Sequence, residues 1–200
     1  RIDPARAQDF GPGEPPSGGT VYVAAADARG TMVSLIQSNY MGFGSGVVVP
    51  GTGISLQNRG AGFTLLPGHP NEPGGGKRPF HTIIPGFLTA DGSALAAFGV
   101  MGGPIQPPAH VQTLVRMVAC GMNPQAALDA PRWRANAGRS IDLEASAASG
   151  LRAGLAALGH ELRALEDSYM DFGAGQFIVR GEDGYVAASD PRRDGQAAGF

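Results

Sequence analysis

The change of character at Thr20 is the feature of this sequence that bears most directly on chemistry. Residues 1–19, RIDPARAQDFGPGEPPSGG, are rich in Pro and Gly and almost free of apolar periodicity, the composition of a linker. From Thr20 the chain becomes alternating and β-branched, TVYVAAAD. A threonine hydroxyl is a weak nucleophile near neutral pH and needs a neighbouring base. A free α-amine, titrating at roughly 7.7–8.0, can be that base. Only a threonine at a chain start carries both groups, so this chemistry requires the Gly19–Thr20 bond to break first. By residue type alone, Thr20 is more commonly just a β-branched residue opening a strand. Gly102-Gly103 follows a strand pattern, where adjacent N–H groups can point into a site or simply make a turn before Pro104. Cys120 is the single cysteine, set among Val115, Val118 and Ala119. A buried thiol is expected there, with no internal disulfide and no cysteine-based metal site. His69, His81, His110 and His160 are scattered without metal-ligand spacing, so no metal is expected.

The elements around these residues follow from pattern. TVYVAAAD and MVSLIQSN read as antiparallel strands joined by the loop Ala28-Arg29-Gly30, with Gly30 left-handed. Facing residue numbers then sum to 58, which sets Asp27 against Thr31, Tyr22 against Ile36 and Thr20 against Ser38. A bulge at the loop is the alternative, shifting the pairing by one. Ser38 is thereby within hydroxyl–hydroxyl reach of Thr20, or is a polar residue closing a strand.

After the Gly-rich bend NYMGFGSG, GVVVPGTGISLQNRG suggests two short strands around Pro50-Gly51, and residues 64–78 carry no element signal. HTIIPGFLTADGSALAAFGV reads as a hairpin turning at Asp91-Gly92; with Ala90 facing Ser93, Gly102 falls opposite His81. A helix after Pro107-Pro108 would bury Val111, Leu114, Val115 and Val118 and stop at Gly121. Asn123-Pro124 caps a short helix through Leu128, residues 146–158 form a third, and GQFIVRGEDGYVAAS is a last hairpin. Strands, then helices, then strands describe an α+β layered domain without internal repeats.

Several short segments, in order, resemble the small-subunit region of γ-glutamyltransferases: TVYVAAAD, GFGSG, LQNRG followed by Phe63, KRPFHTIIP, MGG, DAPRW and SDPRRDGQAAG. The resemblance covers essentially everything from Thr20 onward. It implies a precursor that cuts itself between Gly19 and Thr20, with Thr20 as new N-terminus and nucleophile. It also implies Ser38 as the hydroxyl partner of Thr20 and Gly102 and Gly103 as an oxyanion hole. The implied fold is the αββα four-layer sandwich of N-terminal-nucleophile hydrolases, here as its catalytic half. Residues 1–19 would be the tail of the large-subunit segment and residues 20–200 the small-subunit domain. The large-subunit half of the same precursor would be the partner, and no cofactor is implied. Pro131-Arg132 and Pro191-Arg192 read as structural turns with buried arginines.

The substrate-contacting positions depart from the family. His81 and Thr82 stand where two serines hold a substrate carboxylate, and Gly62 stands where an acidic residue holds the α-amine. Arg59 replaces a glutamine and Tyr40 an asparagine, and the loop between Phe63 and Lys77 is too short for a lid. The resemblance therefore implies cleavage or transfer of γ-glutamyl, glutathione-type amides. Two alternatives stay open: a glutaryl- or cephalosporin-type acylase, and an unprocessed non-catalytic relative. Arg59 could instead only pair with Asp190 or Asp194, and His81 could simply sit beside a strand.

Composition bounds the rest. The 200 residues suffice for one core, and 16% charged residues with 32 Gly and 16 Pro describe a turn-rich globular chain rather than a disordered one. A formal charge of −2 without a basic stripe argues against nucleic acid. No apolar run approaches the roughly 18 residues of a membrane span. The chain opens on Arg1, as expected of a piece of a longer protein, with a leader peptide ahead of it an open alternative.

Overall fold

The computed structural model describes residues 19–166 and 171–200; the expected linker, apart from Gly19, lies outside the described residues. The first hairpin pairs β1 (Thr20–Ala26) with β2 (Met32–Ser38) in the expected register, Thr20 opposite Ser38 and Tyr22 opposite Ile36. The loop fixes it. Asp27 Oδ1 accepts from the N–H groups of Arg29 (2.9 Å) and Thr31 (3.0 Å), and Gly30 takes φ 90°, which its missing Cβ permits.

The second hairpin departs from expectation. β3 (Gly86–Ala90) and β4 (Ser93–Met101) turn at Asp91-Gly92, both at positive φ, as in the mirror-image turns that suit strand twist. The pairing starts at Ala90–Ser93, but an irregularity between Leu88 and Thr89 moves every later pair by one, to Gly86–Phe98. β3 begins only at Gly86, so the pairing of Gly102 with His81 does not form. The two strands expected around Pro50-Gly51 reduce to one bridge, Val48 to Ser55.

β4 continues to β8 (Ala174–Arg180) and β9 (Tyr185–Ser189), giving an antiparallel sheet ordered β3-β4-β8-β9. The β1–β2 hairpin packs on one face through β4 and β8. Buried Tyr22 lies against Gly99, where an added Cβ would stand 2.4 Å from the ring. Against this sheet also pack α1 (Gln106–Val118) and α2 (Pro124–Asp129), the latter capped by the Asn123 side chain on Ala126 N–H at 2.8 Å. Leu128 of α2 joins Phe98, Phe177 and Ala188 in the core.

The face of α1 that packs is not the apolar one. Val111, Val115 and Val118 are exposed, while Ala109, His110, Gln112 and Thr113 are buried. Three of its buried polar side chains are satisfied: Val100 N–H donates to His110 Nε2 (2.8 Å), Gln112 exchanges bonds with the Trp133 backbone (2.9 and 3.1 Å), and Thr113 donates to Ala109 O (2.9 Å). Buried Gln106 accepts from Ile84 N–H (2.9 Å), but its Nε2 has no partner among the described residues. Satisfied polar groups can be buried at little cost, and that removes the periodicity a sequence would show. Cys120, expected buried, is exposed for the same reason, since it follows the outward face.

A third sheet is β5 (Trp133–Ala135), β6 (Ser140–Glu144) and β7 (Glu161–Leu165), with β6 and β7 parallel across α3 (Ser149–Ala157), shorter than the expected 146–158. The result is α+β. The described residues build a hairpin sheet, a four-stranded sheet and helices α1 and α2 packed on the latter. The outer face of the β1–β2 sheet exposes Val21, Val23, Val33 and Leu35, each about half accessible. No helix among the described residues is long and apolar enough to cross a membrane.

Candidate active site

The β1–β2 register brings two hydroxyls together at the open end of the hairpin: Thr20 Oγ1 donates to Ser38 Oγ at 2.7 Å. Ser38 Oγ also accepts from Tyr40 N–H at 2.8 Å, and Asn39 N–H donates to Gly19 O at 3.2 Å. Tyr40 reaches Ser38 because its backbone is left-handed, φ 74°, which a non-glycine residue adopts only when its surroundings hold it there. Gly19 admits no side chain, since an added Cβ would stand 2.8 Å from Gly42 O. The bond preceding Thr20 is therefore closely framed by the β2 end and the bend after it.

Thr20 lines a cavity of about 560 Å³ bounded by β1, β8, β9, Met101 and residues 193–198. Directly after Met101 come Gly102 (φ 137°) and Gly103 (φ 67°). A Cβ at Gly102 would meet Ile105 Cγ2 at 2.7 Å and Gly173 Cα at 2.8 Å, whereas Gly103 faces open space. The floor beneath this turn is held by charge. Fully buried Arg132 donates to Phe172 O (3.0 Å), Gly173 O (3.1 Å) and Asp190 Oδ2 (2.5 Å). Arg192 bridges Asp190 (3.0 Å) and Glu144 (2.6 Å). DAPRW and SDPRRDG thus meet below the glycine turn in buried arginine pairs, as their sequence reading expects. Desolvation pulls the Arg132 guanidinium down, and Asp190 opposes it.

A second cavity, about 470 Å³, is lined by Tyr40, Arg59, Gly62, Thr82 and Pro104, together with His69, Asn71, Arg78 and Phe80. Arg59 is 4% exposed and donates from Nη1 to Thr82 Oγ1 at 2.7 Å. Its guanidinium carbon lies 5.0 Å from the Tyr40 ring centroid, a cation–π distance. Its Nε has no partner, and among the described residues no carboxylate pairs with it. Asp190 is taken by Arg132 and Arg192, so the expected alternative of an Arg59–Asp190 pair does not form. Burial lowers the Arg59 pKa, with Tyr40 opposing.

Thr82 therefore joins Arg59, whereas His81 is exposed and lines neither cavity. The two side chains do not line one cavity among the described residues. The contribution of the 64–80 segment is the part sequence reading missed. Asn71 pins it, donating to Gly62 O (2.6 Å) and accepting from Phe80 N–H (2.8 Å). Nothing in its Gly/Pro-rich surroundings signals that role. Among the described residues no group of three or more His, Cys, Asp or Glu is placed to hold a metal.

Oxamate amidohydrolase proenzyme of Klebsiella pneumoniae subsp. pneumoniae is 39% identical over 205 residues, covering all of this chain and 39% of that protein. Glutathione hydrolase-like YwrD proenzyme of Bacillus subtilis is 36% identical over 187 residues, covering 90% of this chain and 36% of that protein. The chain thus spans somewhat over a third of the length of these relatives. A cephalosporin acylase from Bacillus halodurans superposes with TM-score 0.82 at 49% identity, over 90% of this chain and 34% of that one. A γ-glutamyltranspeptidase chain from Pseudomonas nitroreducens, in complex with L-DON, gives 0.77 at 25% identity over 90% of this chain and 98% of that one. Residues 2–200 match the family described as gamma-glutamyltranspeptidase, so the paired hydroxyls of Thr20 and Ser38 belong to a chain that is a member of the γ-glutamyltranspeptidase family.

Proposed function

We propose that this chain carries the nucleophile of a self-processing amidohydrolase, with Thr20 as the attacking residue. The observation that supports this best is the 2.7 Å hydrogen bond between Thr20 and Ser38, placed beside a Gly19 that has room for no side chain. In processing, Thr20 Oγ attacks the Gly19 carbonyl carbon while the C–N bond to Thr20 breaks, its nitrogen taking the hydroxyl proton. Water then hydrolyses the ester, leaving a Gly19 carboxylate and a free Thr20 amine. That amine becomes the base for the second reaction, accepting the hydroxyl proton as Thr20 Oγ attacks a substrate amide. The proton passes to the departing amine, and water or a second amine takes the acyl group. Ser38 orients the hydroxyl, and the Gly102 and Gly103 N–H groups stabilise the oxyanion, a contribution of roughly 3 kcal/mol per donor. The large-subunit half of the precursor completes the fourth layer over the exposed β1–β2 face.

One candidate class of donor is the γ-glutamyl amide of the glutathione type, since several relatives are named glutathione hydrolase. Glutaryl-type amides form a second reading, favoured by the absence of a carboxylate at Gly62 and by the buried cation at Arg59. Intact-mass measurement of the full-length precursor tests the first step. Wild type should yield a fragment beginning at Thr20, and Thr20→Ala should remain one chain without amidase activity. Cleavage at the same bond in Thr20→Ala would remove Thr20 as nucleophile. Uncut wild type in cells would favour the non-catalytic relative.

A further inference from the structure

We infer that Arg59 is the anchor for a substrate carboxylate, and that the site selects amides of dicarboxylic acids carrying no ammonium near that carboxylate. The inference rests on Thr20 as nucleophile and names what its acyl donor must look like. A guanidinium has five N–H donors in a planar fork, and taking it out of water is costly unless they are satisfied. At 4% exposure Arg59 spends Nη1 on Thr82 and leaves Nε without a partner, beside an open cavity. No carboxylate among the described residues neutralises it, and Arg78 and His69 line the same cavity. On this inference the substrate carboxylate is the partner that completes the guanidinium's hydrogen bonding.

The geometry also says how that anion enters. The Tyr40 ring occupies one face of the guanidinium. In the plane of the guanidinium, a carboxylate matches the fork with two parallel hydrogen bonds. The residue that supplies the ring is tied to the nucleophile, because Tyr40 N–H donates to the same Ser38 Oγ that holds Thr20. Carboxylate anchor and reacting hydroxyl are therefore positioned by one short stretch of chain. An ammonium in this cavity would meet Arg59 and Arg78, and Gly62 offers it no carboxylate.

The test compares three p-nitroanilides on the full-length, self-processed enzyme: glutaryl, γ-glutamyl (glutaryl plus an ammonium) and pentanoyl (no carboxylate). Wild type should favour glutaryl over pentanoyl by a hundredfold or more in kcat/KM, and over γ-glutamyl by at least tenfold. Arg59→Gln should lose most of the glutaryl-to-pentanoyl ratio, through a raised KM for the glutaryl substrate. Arg59→Lys keeps the charge without the fork and should fall between. A processed Arg59→Gln or Arg59→Lys that keeps the wild-type ratio overturns the assignment, as does wild type that prefers γ-glutamyl or pentanoyl. If neither variant processes itself, competitive inhibition of wild type decides: glutaramate, which has one carboxylate, must bind at least tenfold better than glutaramide, which has none, and equal binding overturns the anchor. Loss of cleavage in Thr20→Ala is read separately, so failure of the nucleophile and failure of the anchor are distinguishable.

Discussion

Protonating one buried histidine should loosen the strand that leads into the glycine turn. His110 is 7% exposed, and burial pushes its pKa down to about 4, with the Arg132 charge adding to the shift. Its Nε2 accepts from Val100 N–H, two residues before Gly102, so a proton at Nε2 must displace that bond. The unfolded chain takes the proton near 6.5 and the folded one near 4, so stability is complete above 6.5 and is lost as pH falls toward 4. At about 1.4 kcal/mol per pH unit, the gap amounts to about 3.5 kcal/mol, of which about 2.5 kcal/mol is gone by pH 4.5. His110→Gln offers an amide oxygen to Val100 N–H without titrating in this range. Urea unfolding of both proteins between pH 7.5 and 4.5 isolates the effect, because every other group titrates alike in the two. Wild type should lose about 2.5 kcal/mol more than His110→Gln across that interval. Parallel stability curves, or a His110 ring that titrates near 6.5 by NMR, would refute the reasoning.

The two glycines of the turn should respond differently to a methyl group. Gly102→Ala drives a Cβ to within 2.8 Å of the Gly173 backbone and should fail to fold or melt far lower, whereas Gly103→Ala meets open space. It should cost only the left-handed penalty of about 1–2 kcal/mol, read by thermal melting. Gly62 has open space and an unstrained φ, so Gly62→Asp should fold. By restoring a charge-assisted bond of roughly 1.5–3 kcal/mol to a substrate ammonium, it should raise the γ-glutamyl-to-glutaryl ratio of kcat/KM at least tenfold. An unchanged ratio would mean that the amine is not bound at this position.

What the sequence revealed of this fold depends on how locally each feature is encoded. The Thr20–Ser38 pairing was legible because a three-residue loop with a left-handed glycine fixes register without reference to anything distant. The Gly102–His81 pairing failed because the irregularity at Leu88/Thr89 has no local signature. Helix α1 misled because its buried face is polar and satisfied by Val100 and Trp133, partners more than five residues away in chain or on another element. At the site, Arg59 and Thr82 could be named from their positions, but not their mutual hydrogen bond. The burial of Arg59 is a property of the cavity walls, and those include a segment whose Gly/Pro composition reads only as loop. Asn71 was invisible for the same reason, since its role lies in what it bonds across the loop.

Tyr40 carries a consequence for how this protein can be altered. A tyrosine at φ 74° stores about 1–2 kcal/mol that a glycine in the same place would release. Selection for heat resistance therefore pulls position 40 toward glycine, while selection for turnover keeps the aromatic ring over Arg59. The two pressures meet at one residue, so a library sorted only for survival on heating would drift away from the geometry that joins the cation to the nucleophile.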